Sequence, residues 1–410
     1  MSTDAAATPA PAPRLLSLDA LRGFDMFWIM GGDALAVALH KFSDNPATIA
    51  FADQLEHVEW AGFHFYDLIF PLFVFIVGES LVLSLGRTLE KEGRAAAVKR
   101  VLRRTLLLFA VALFYSGGFT QHWPDIRLLG VLNRIALCYG AAGLLFCFLR
   151  GHTRALAAVC VALLTGYWAL MTFVPFPDLR RVDVGGRLLN PGLNITNATN
   201  TAQLNWATTN TLRGIFEPGL NLANTLDAKF LPGKKWDKTW DPEGLLSTLP
   251  AIATCLLGVL AGLFLSSAIC EHRKAIWLGV AGMVAVSAGF AWGTQFPVVK
   301  KIWTSSFVLV AGGYSALLLA AFYYVVDVLK WQRWCQPFVW YGMNPITVYL
   351  ADNIIGFRKV ASRLLGGGVQ EWLNTRLTAG LGDLVLSLGE IGVGLLLVWW
   401  LHRRRIFLRL

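Results

Sequence analysis

The stretch HVEWAGFHFYDLIFPLFVFIVGES, residues 57–80, places two histidines and an aspartate in front of a long apolar run. The run continues to residue 85, which is long enough to cross a hydrocarbon layer about 30 Å thick. Because a segment in lipid must pair its backbone amides internally, the run predicts a membrane-spanning helix. His57, His64 and Asp67 are then expected at the outer end of this helix.

The composition extends this prediction to the whole chain. Of 410 residues, 55% are hydrophobic and 15% are charged, the mean hydropathy is +0.53, and 16 residues are tryptophan. This is more apolar surface than the core of a soluble protein can bury. The sequence therefore argues against a soluble globular protein and predicts an all-α polytopic membrane protein, multi-pass in the cell (inner) membrane.

Apolar segments of membrane-crossing length recur along the sequence. There are about ten, at residues 24–39, 66–85, 101–119, 128–149, 156–174, 245–267, 275–296, 303–326, 338–357 and 384–401. They divide the chain into a disordered tail at 1–13, helices 1–5 with the catalytic region at 14–174, one long outer (periplasmic or lumenal) loop at 175–244, helices 6–10 at 245–402, and a basic cytoplasmic tail at 403–410.

Lysine and arginine are concentrated in alternate connections and in the tail at 403–405. Short basic loops stay in the cytoplasm, so both chain termini are predicted to be cytoplasmic. We attribute most of the formal charge of +10 to this bias and expect no nucleic-acid partner. The six cysteines form no CxxC pair, and no metal site is expected.

Polar residues inside the apolar segments indicate functional sites, because charges in lipid are costly. Asp19, Arg22 and Asp25 are spaced three residues apart and share one helix face. One interpretation is an internal ion pair that tolerates burial. The other is a cationic site near the cytoplasmic face for an anionic cofactor, with Arg22 as the donor and Asp19 beside it.

His57 and Asp67 are candidates for proton transfer. A histidine accepts a proton near neutral pH, and a carboxylate that holds one ring nitrogen makes the other a better base. On one continuous helix the two residues would lie about 80° apart, so their contact requires a break, which Gly62 can supply. The alternative interpretation is that an interfacial histidine is an ordinary surface group.

A family resemblance is carried by several stretches, in order along the chain: RLLSLDALRGFD, HVEWAGFHFYDLIFPLFVFIVG, GVLNRIALCYGAAGLL, WDPEGLLSTLPAIATCLLGVLAG, KKIWTSSFVL and WYGMNPITVYL. They resemble the transmembrane acyltransferase family typified by heparan-α-glucosaminide N-acetyltransferase. The resemblance implies transfer of acetyl from cytosolic acetyl-CoA to a glucosamine-type amine outside, a catalytic His57 followed by Asp67, and a homodimer. No metal is implied.

The remaining candidates are assigned by the same resemblance and by residue chemistry. Asn344 is expected to donate to the thioester oxygen, and Arg134 either pairs with a carboxylate or binds a phosphate of coenzyme A. The substrate-binding candidates are Trp60, Asp241 and Glu243. Asn133 replaces the glutamine usual in GVLQR, and Asp352-Asn353 stands where human-like members carry a histidine, so the acceptor is left open.

Three alternatives stay open on the sequence alone. His57 acts either as a general base in direct transfer or as a carrier through acetyl-His57. The acceptor is either an amine or, in an O-acyltransferase, a hydroxyl of an envelope glycan. The third alternative is a secondary transporter, because interruptions at Phe70-Pro71 and Asn344-Pro345 and intramembrane carboxylates are also typical of substrate pathways.

Overall fold

The computed structural model describes residues 15–123, 125–180 and 198–407. Its helices and strands are α1 (Leu16–Phe42), α2 (Pro46–Gln54), α3 (Phe65–Lys91), α4 (Gly93–Tyr115), α5 (Val131–Leu149), α6 (Thr153–Phe173), β1 (Phe176–Pro177), β2 (Thr211–Leu212), α7 (Leu222–Phe230), α8 (Thr248–Leu265), α9 (Glu271–Gly293), α10 (Ser305–Phe322), α11 (Gln336–Met343), α12 (Pro345–Ile355), α13 (Phe357–Leu365), α14 (Gly367–Arg376) and α15 (Leu381–Arg403). The tail predicted at 1–13 lies outside the described residues.

Seven membrane-spanning segments within the described ranges are long and apolar enough to cross a membrane: α3, α5, α6, α8, α9, α10 with its π-helical continuation to Val328, and α15. They confirm the predicted class, an all-α polytopic membrane protein. The segments predicted at 24–39 and 101–119 lie in the long helices α1 and α4, which carry more charge. A total of ten crossings therefore stays a prediction.

The two predicted helix interruptions have different outcomes. The chain breaks at Asn344, where α11 ends and α12 begins with Pro345. Proline disfavours a helical conformation in the residue before it and is tolerated at the first position of a helix. At Phe70-Pro71 the prediction was wrong, because α3 continues through Pro71, which is buried inside the bundle.

Helix α3 is at the centre of the bundle. It contacts α1, α4, α5, α8 and α10. The most apolar stretch of α3 is 72% buried, whereas the corresponding stretches of α6 and α9 are each 28% buried. Glycines allow the close approach of α3 and α8: a Cβ on Gly78 would meet the carbonyl oxygen of Cys255, and a Cβ on Gly258 would meet that of Phe75. This agrees with the close packing that small residues favour in membrane helices.

The connection between α6 and α8 covers the end of α3 that carries Asp67. It contains the antiparallel pair β1–β2 and α7. The indole Nε1 of Trp60, just before α3, donates to the carbonyl of Phe216 in this connection at 2.8 Å. At the opposite end of α3, Glu90 pairs with Arg150 at 2.5 Å. The bundle thus has a loop-covered end and a basic end.

Candidate active site

The loop that precedes α3 is held by Asp67. Gly62 has a φ of 134°, in the region that favours glycine, and α3 begins at Phe65. The carboxylate Oδ2 of Asp67 accepts hydrogen bonds from the backbone N–H groups of His64 at 3.1 Å and Val58 at 3.3 Å. A carboxylate in the first turn that accepts from the residue before the helix is half of a capping box. The start of the helix therefore fixes the loop on which His57 lies.

His57 and Asp67 are in direct contact. Nδ1 of His57 lies 3.0 Å from Oδ1 of Asp67, and Asp67 is buried while 48% of the His57 side chain is exposed. Because α3 begins only at Phe65, His57 and Asp67 do not lie on one continuous helix, and this allows their contact. A carboxylate on Nδ1 favours the tautomer that leaves Nε2 free to accept a proton. The imidazole ring also packs against Tyr66, with 4.7 Å between the ring centroids.

Lys300 completes this group from a distant part of the sequence. Its Nζ lies 2.9 Å from Nδ1 and 3.1 Å from Nε2 of His57, and 3.4 Å from Oδ1 of Asp67. Burial lowers the pKa of Lys300, and the nearby Asp67 carboxylate opposes that change. Sequence reasoning missed Lys300, although Lys300 and Lys301 stand in a connection predicted to be outer. Lysines there depart from the positive-inside pattern, which was a usable signal.

Two cavities meet at His57 and Lys300. The central cavity, about 380 Å³, is also lined by Asp33, Phe73 and Asp352. The loop cavity, about 350 Å³, is also lined by Asp67, Asn133 and Trp236. Glu243 lines both.

A third cavity, the basic cavity, lies towards the other end of α3. It has a volume of about 500 Å³ and is lined by these cations among others: Arg22, Arg87, Lys91, Arg100 and Arg104. Phe73, Leu132 and Ile135 line both the basic and the central cavity. A row of cavities therefore follows α3 from its basic end to His57.

The two cofactor candidates Asp19 and Arg22 lie together in the basic cavity. The Arg22 guanidinium is 3.2 Å from Asp19 Oδ1 and donates to Ser80 Oγ at 2.5 Å and to the carbonyl of Gly342 at 3.1 Å. Ser80 is 13 residues beyond Asp67 on α3, a separation of about 20 Å at 1.5 Å per residue.

Arg134 lies elsewhere, outside the walls of the basic cavity. It is fully buried, donates to the carbonyl of Gly244 at 3.3 Å and to Ser247 Oγ, and lies over the ring of Trp303. Its described contacts attach α5 to the start of α8.

The three substrate candidates are also separated. Glu243 lines both cavities at His57. Asp241 is buried and holds Arg127 through two hydrogen bonds of 2.8 and 2.7 Å. Trp60 packs against Trp240 and is not part of the wall of either cavity. The geometry therefore brings only Glu243 of these three to His57.

Asn344 is not brought to His57. Its amide Nδ2 donates to the carbonyl of Ile406 at 3.0 Å, and the residue is 1% exposed. Gly342, two residues earlier, packs on the backbone of Asp19, and Pro345, which follows Asn344, lines both the basic and the central cavity. The amide therefore has a backbone partner in the C-terminal segment.

The α6–α8 connection places one buried carboxylate, Glu243, on the wall of the loop cavity and another, Asp227, outside it. Glu243 Oε2 is 2.6 Å from Arg127, and burial raises the pKa of Glu243. Burial also raises the pKa of Asp227 to about 7, although its carboxylate accepts from the backbone N–H of Leu245 at 2.8 Å. Among the described residues, no group of histidine, cysteine, aspartate or glutamate side chains is arranged to hold a metal ion.

Comparisons with known proteins agree on one family. Residues 14–205 match the family model described as "Heparan-alpha-glucosaminide N-acetyltransferase, catalytic". The chain is 26% identical to the heparan-alpha-glucosaminide N-acetyltransferase of Mus musculus over 338 residues, which is 73% of this chain and 49% of the mouse protein. It is 26% identical to the Homo sapiens protein over 383 residues, 83% of this chain and 53% of the human protein.

The matched region contains most of the site described above. It includes Asp19, Arg22, His57, Asp67 and Arg134, whereas Lys300 and Glu243 lie beyond it. The chain spans about half the length of the curated relatives that it matches. Residues 14–205, just under half of the chain, are therefore similar to the catalytic region of this family, and most of the chain is similar to its mouse and human members.

Proposed function

We propose that this protein is a membrane acyltransferase that moves acetyl from acetyl-CoA at the basic end to an amine of an amino sugar at the loop-covered end. The observation that carries the proposal is the contact of His57 with Asp67 and Lys300 at the point where the central and loop cavities meet. The names of the two relatives supply the acetyl group and the glucosamine-type acceptor.

The donor enters from the basic end. Coenzyme A carries several phosphate charges, which Arg22, Arg87 and Lys91 in the basic cavity attract. The pantetheine arm is an extended chain, and the walls shared by the basic and central cavities give it a route towards His57. Because coenzyme A is made in the cytoplasm, the basic end faces the cytoplasm in this proposal, in agreement with the positive-inside rule.

The three side chains have distinct roles in the transfer. Asp67 accepts a hydrogen bond from Nδ1–H of His57 and leaves Nε2 as the base. The acceptor amine attacks the thioester carbonyl carbon and gives a proton to Nε2 as the C–N bond forms. The C–S bond then breaks, and the thiolate of coenzyme A takes a proton from His57. Lys300 lies 3.1 Å from Nε2, close enough to stabilise negative charge on the carbonyl oxygen.

The proposal is tested by thiol release from acetyl-CoA by purified protein in detergent, with and without glucosamine. We expect glucosamine-dependent release in the parent, a loss of about 100-fold or more in His57→Ala, and a loss in Lys300→Met. Acetylation of a sugar hydroxyl in place of the amine would identify an O-acyltransferase. Covalent acetyl-His57 formed without acceptor would identify transfer through a carrier. Absence of both release and acetyl-CoA binding would overturn the proposal.

A secondary transporter is a second candidate, favoured by one observation. Asp25 and Glu79 are fully buried, and none of their carboxylate oxygens has a hydrogen-bond partner in the described part of the chain. Intramembrane carboxylates of this kind are found on proton and ion pathways. Sugar uptake into proteoliposomes that requires Glu79 and is independent of acetyl-CoA would support transport.

A further inference from the structure

The loop cavity contains an amide with no partner. Asn133 lies in the first turn of α5 and is 1% exposed, and neither its Oδ1 nor its Nδ2 has a hydrogen-bond partner among the described residues. Asn133 lines the loop cavity together with His57. Since buried side-chain amides in folded proteins are almost always hydrogen-bonded, a donor and an acceptor group are expected from whatever occupies this cavity.

An aromatic ring and a carboxylate line the same cavity. Trp236 is 69% exposed, and the guanidinium of Arg127 lies 5.0 Å from its ring centre, which supports the indole from one side. Glu243 Oε2 accepts from Arg127, and a carboxylate has further lone pairs for a second donor. An amide, an indole and a carboxylate therefore surround one space of about 350 Å³ beside His57.

The charges around this space differ from those of the basic cavity. Arg127 is paired with both Asp241 and Glu243, and Lys301 lies 3.7 Å from Asp237. The loop cavity has three cations on its wall against Asp67 and Glu243, whereas the basic cavity has five cations against Asp19 and Glu92 and so attracts phosphate groups more strongly. The loop cavity thus suits a hydroxyl-rich, uncharged or cationic molecule better than it suits the anionic donor.

We propose that the loop cavity is the acceptor subsite and that it selects a hydroxylated pyranose amine over a simple amine. Asn133 exchanges hydrogen bonds with ring hydroxyls, Trp236 stacks on the apolar face of the sugar, and Glu243 accepts a hydrogen bond from the amine. The proposal rests on the proposed acyltransferase function and adds the residues that recognise the acceptor. Asn133 acts here as a specificity residue, while His57 performs the chemistry.

The test compares two primary amines on six-membered rings, glucosamine and cyclohexylamine, in the thiol-release assay. Asn133→Leu should raise the KM for glucosamine about tenfold, the loss of one good hydrogen bond, and leave the KM values for cyclohexylamine and acetyl-CoA unchanged. Replacing an unpaired buried amide by an apolar group of similar size is compatible with folding. Trp236→Ala should also raise the glucosamine KM. Trp206→Ala, an exposed tryptophan of the same connection outside this cavity, is the matched control and should not.

The outcomes separate this inference from the proposed function. If the parent transfers acetyl to glucosamine and Asn133→Leu raises the KM of both amines equally, or of neither, the acceptor subsite is wrong and the acyltransferase stands. If Asn133→Leu raises the KM of acetyl-CoA instead, the loop cavity belongs to the donor. If the parent releases no thiol with either amine, this subsite is wrong, and if the parent also fails to bind acetyl-CoA, the proposed function is wrong as well.

Discussion

Asp67 uses its two carboxylate oxygens for different partners. Oδ1 contacts His57, and Oδ2 accepts from the backbone N–H groups of His64 and Val58. The second set of bonds fixes the loop, so the first can fix the orientation of the imidazole ring. One residue therefore couples the start of a membrane helix to the position of the proposed base.

Asp67→Asn is expected to lower kcat for acetyl transfer by about 100-fold, while acetyl-CoA binding is unchanged. In the variant the amide oxygen can keep the backbone N–H bonds of Oδ2, which leaves the NH2 group facing Nδ1 of His57 and favours the wrong tautomer. General-base catalysis contributes about 10²–10⁴-fold. The measurement is single-turnover thiol release at saturating glucosamine.

His64→Ala is the matched control for that experiment. His64 is also a histidine of the loop before α3, but its ring nitrogen contacts the carbonyl of Glu56, and its bond to Asp67 comes from its backbone N–H. We expect a change of less than about threefold, because the backbone bond survives the substitution. An equal loss in both variants would mean that disruption of the loop, not of proton transfer, explains the effect of Asp67→Asn.

The sequence predicted some of these contacts and could not predict others. The pairing of His57 with Asp67 was a hypothesis from residue chemistry and the family resemblance, and it required a break that Gly62 can supply. Lys300 lies 243 residues from His57, and no local pattern reports a contact over such a separation. Arg134 and Asn344 show the same limit. A polar residue in an apolar segment needs a partner, but the sequence does not say whether that partner is a ligand or the backbone.

At the level of helices, Gly78 is expected to be intolerant of substitution. A Cβ there would meet the backbone carbonyl of Cys255 on α8, which cannot move aside as a flexible side chain can. Gly78→Ala should therefore separate α3 from α8 and lower the free energy of unfolding by about 1–3 kcal/mol. The measurement is the thermal midpoint in detergent.

Gly166→Ala provides the control on α6. A Cβ at Gly166 would have no neighbour within 4 Å among the described residues. Alanine is the better helix former by up to about 1 kcal/mol, so this variant should match the parent or exceed it slightly in stability. A lower midpoint for Gly166→Ala would contradict the assignment of helix packing as the cause at Gly78.

The α6–α8 connection is expected to be less stable above neutral pH because of Asp227. Burial raises the pKa of Asp227 from an ordinary 3.8 to about 7 in the folded protein. Between these two values the folded state holds a proton that the unfolded state has lost. The contribution of Asp227 to stability is therefore greatest below about pH 4, falls as pH rises from 4 to 7 by at most about 4 kcal/mol, and does not change further above 7.

Asp227→Asn should flatten this pH dependence, and the thermal midpoint measured from pH 5 to 8 in one detergent tests it. Leu245 N–H donates to Oδ1 of Asp227, and the asparagine oxygen can take its place. Asp178→Asn is the control in the same connection, because Arg180 lowers the pKa of Asp178. That variant should retain the fall in the thermal midpoint between pH 5 and 7. A midpoint in the parent that rises from pH 6 to 8 would contradict the prediction.

The fold was predictable to the extent that it depends on hydrophobic length. The long apolar segments of α3, α5, α6, α8, α9, α10 and α15 were all identified, because lipid leaves a continuous helix as the simplest solution. The charged helices α1 and α4 are long, yet their crossing cannot be decided from apolar length alone. Pro71 shows how tertiary packing outweighs a local signal, since α3 contacts neighbouring helices on several sides and continues through this residue.

Over the whole molecule, charge separates the two ends of the cavity row. The end near Arg22 collects cations in one cavity, whereas cations near His57 are paired with Asp67, Asp237, Asp241 and Glu243. Under the proposed function, an anionic donor is therefore attracted to the basic end, and the acceptor binds at the loop-covered end. The homodimer implied by the family resemblance stays a prediction.

Neighbouring arginines of α4 allow a test of this polarity. Arg104 lines the basic cavity, whereas Arg103 lines a groove on another face of α4 with Phe148 and Leu106. Arg104→Gln is expected to raise the KM for acetyl-CoA about tenfold, equivalent to about 1.4 kcal/mol, with kcat and the KM for glucosamine unchanged. The difference in KM between the parent and Arg104→Gln should shrink in high salt, because the attraction between Arg104 and the donor is then screened, with a Debye length of about 3 Å at 1 M.

Arg103→Gln removes the same charge from the same helix and should change the KM for acetyl-CoA by less than about twofold. An equal effect of both substitutions would mean that net charge near the membrane, not the basic cavity, attracts the donor. A change confined to the glucosamine KM would reverse the assignment of the two ends.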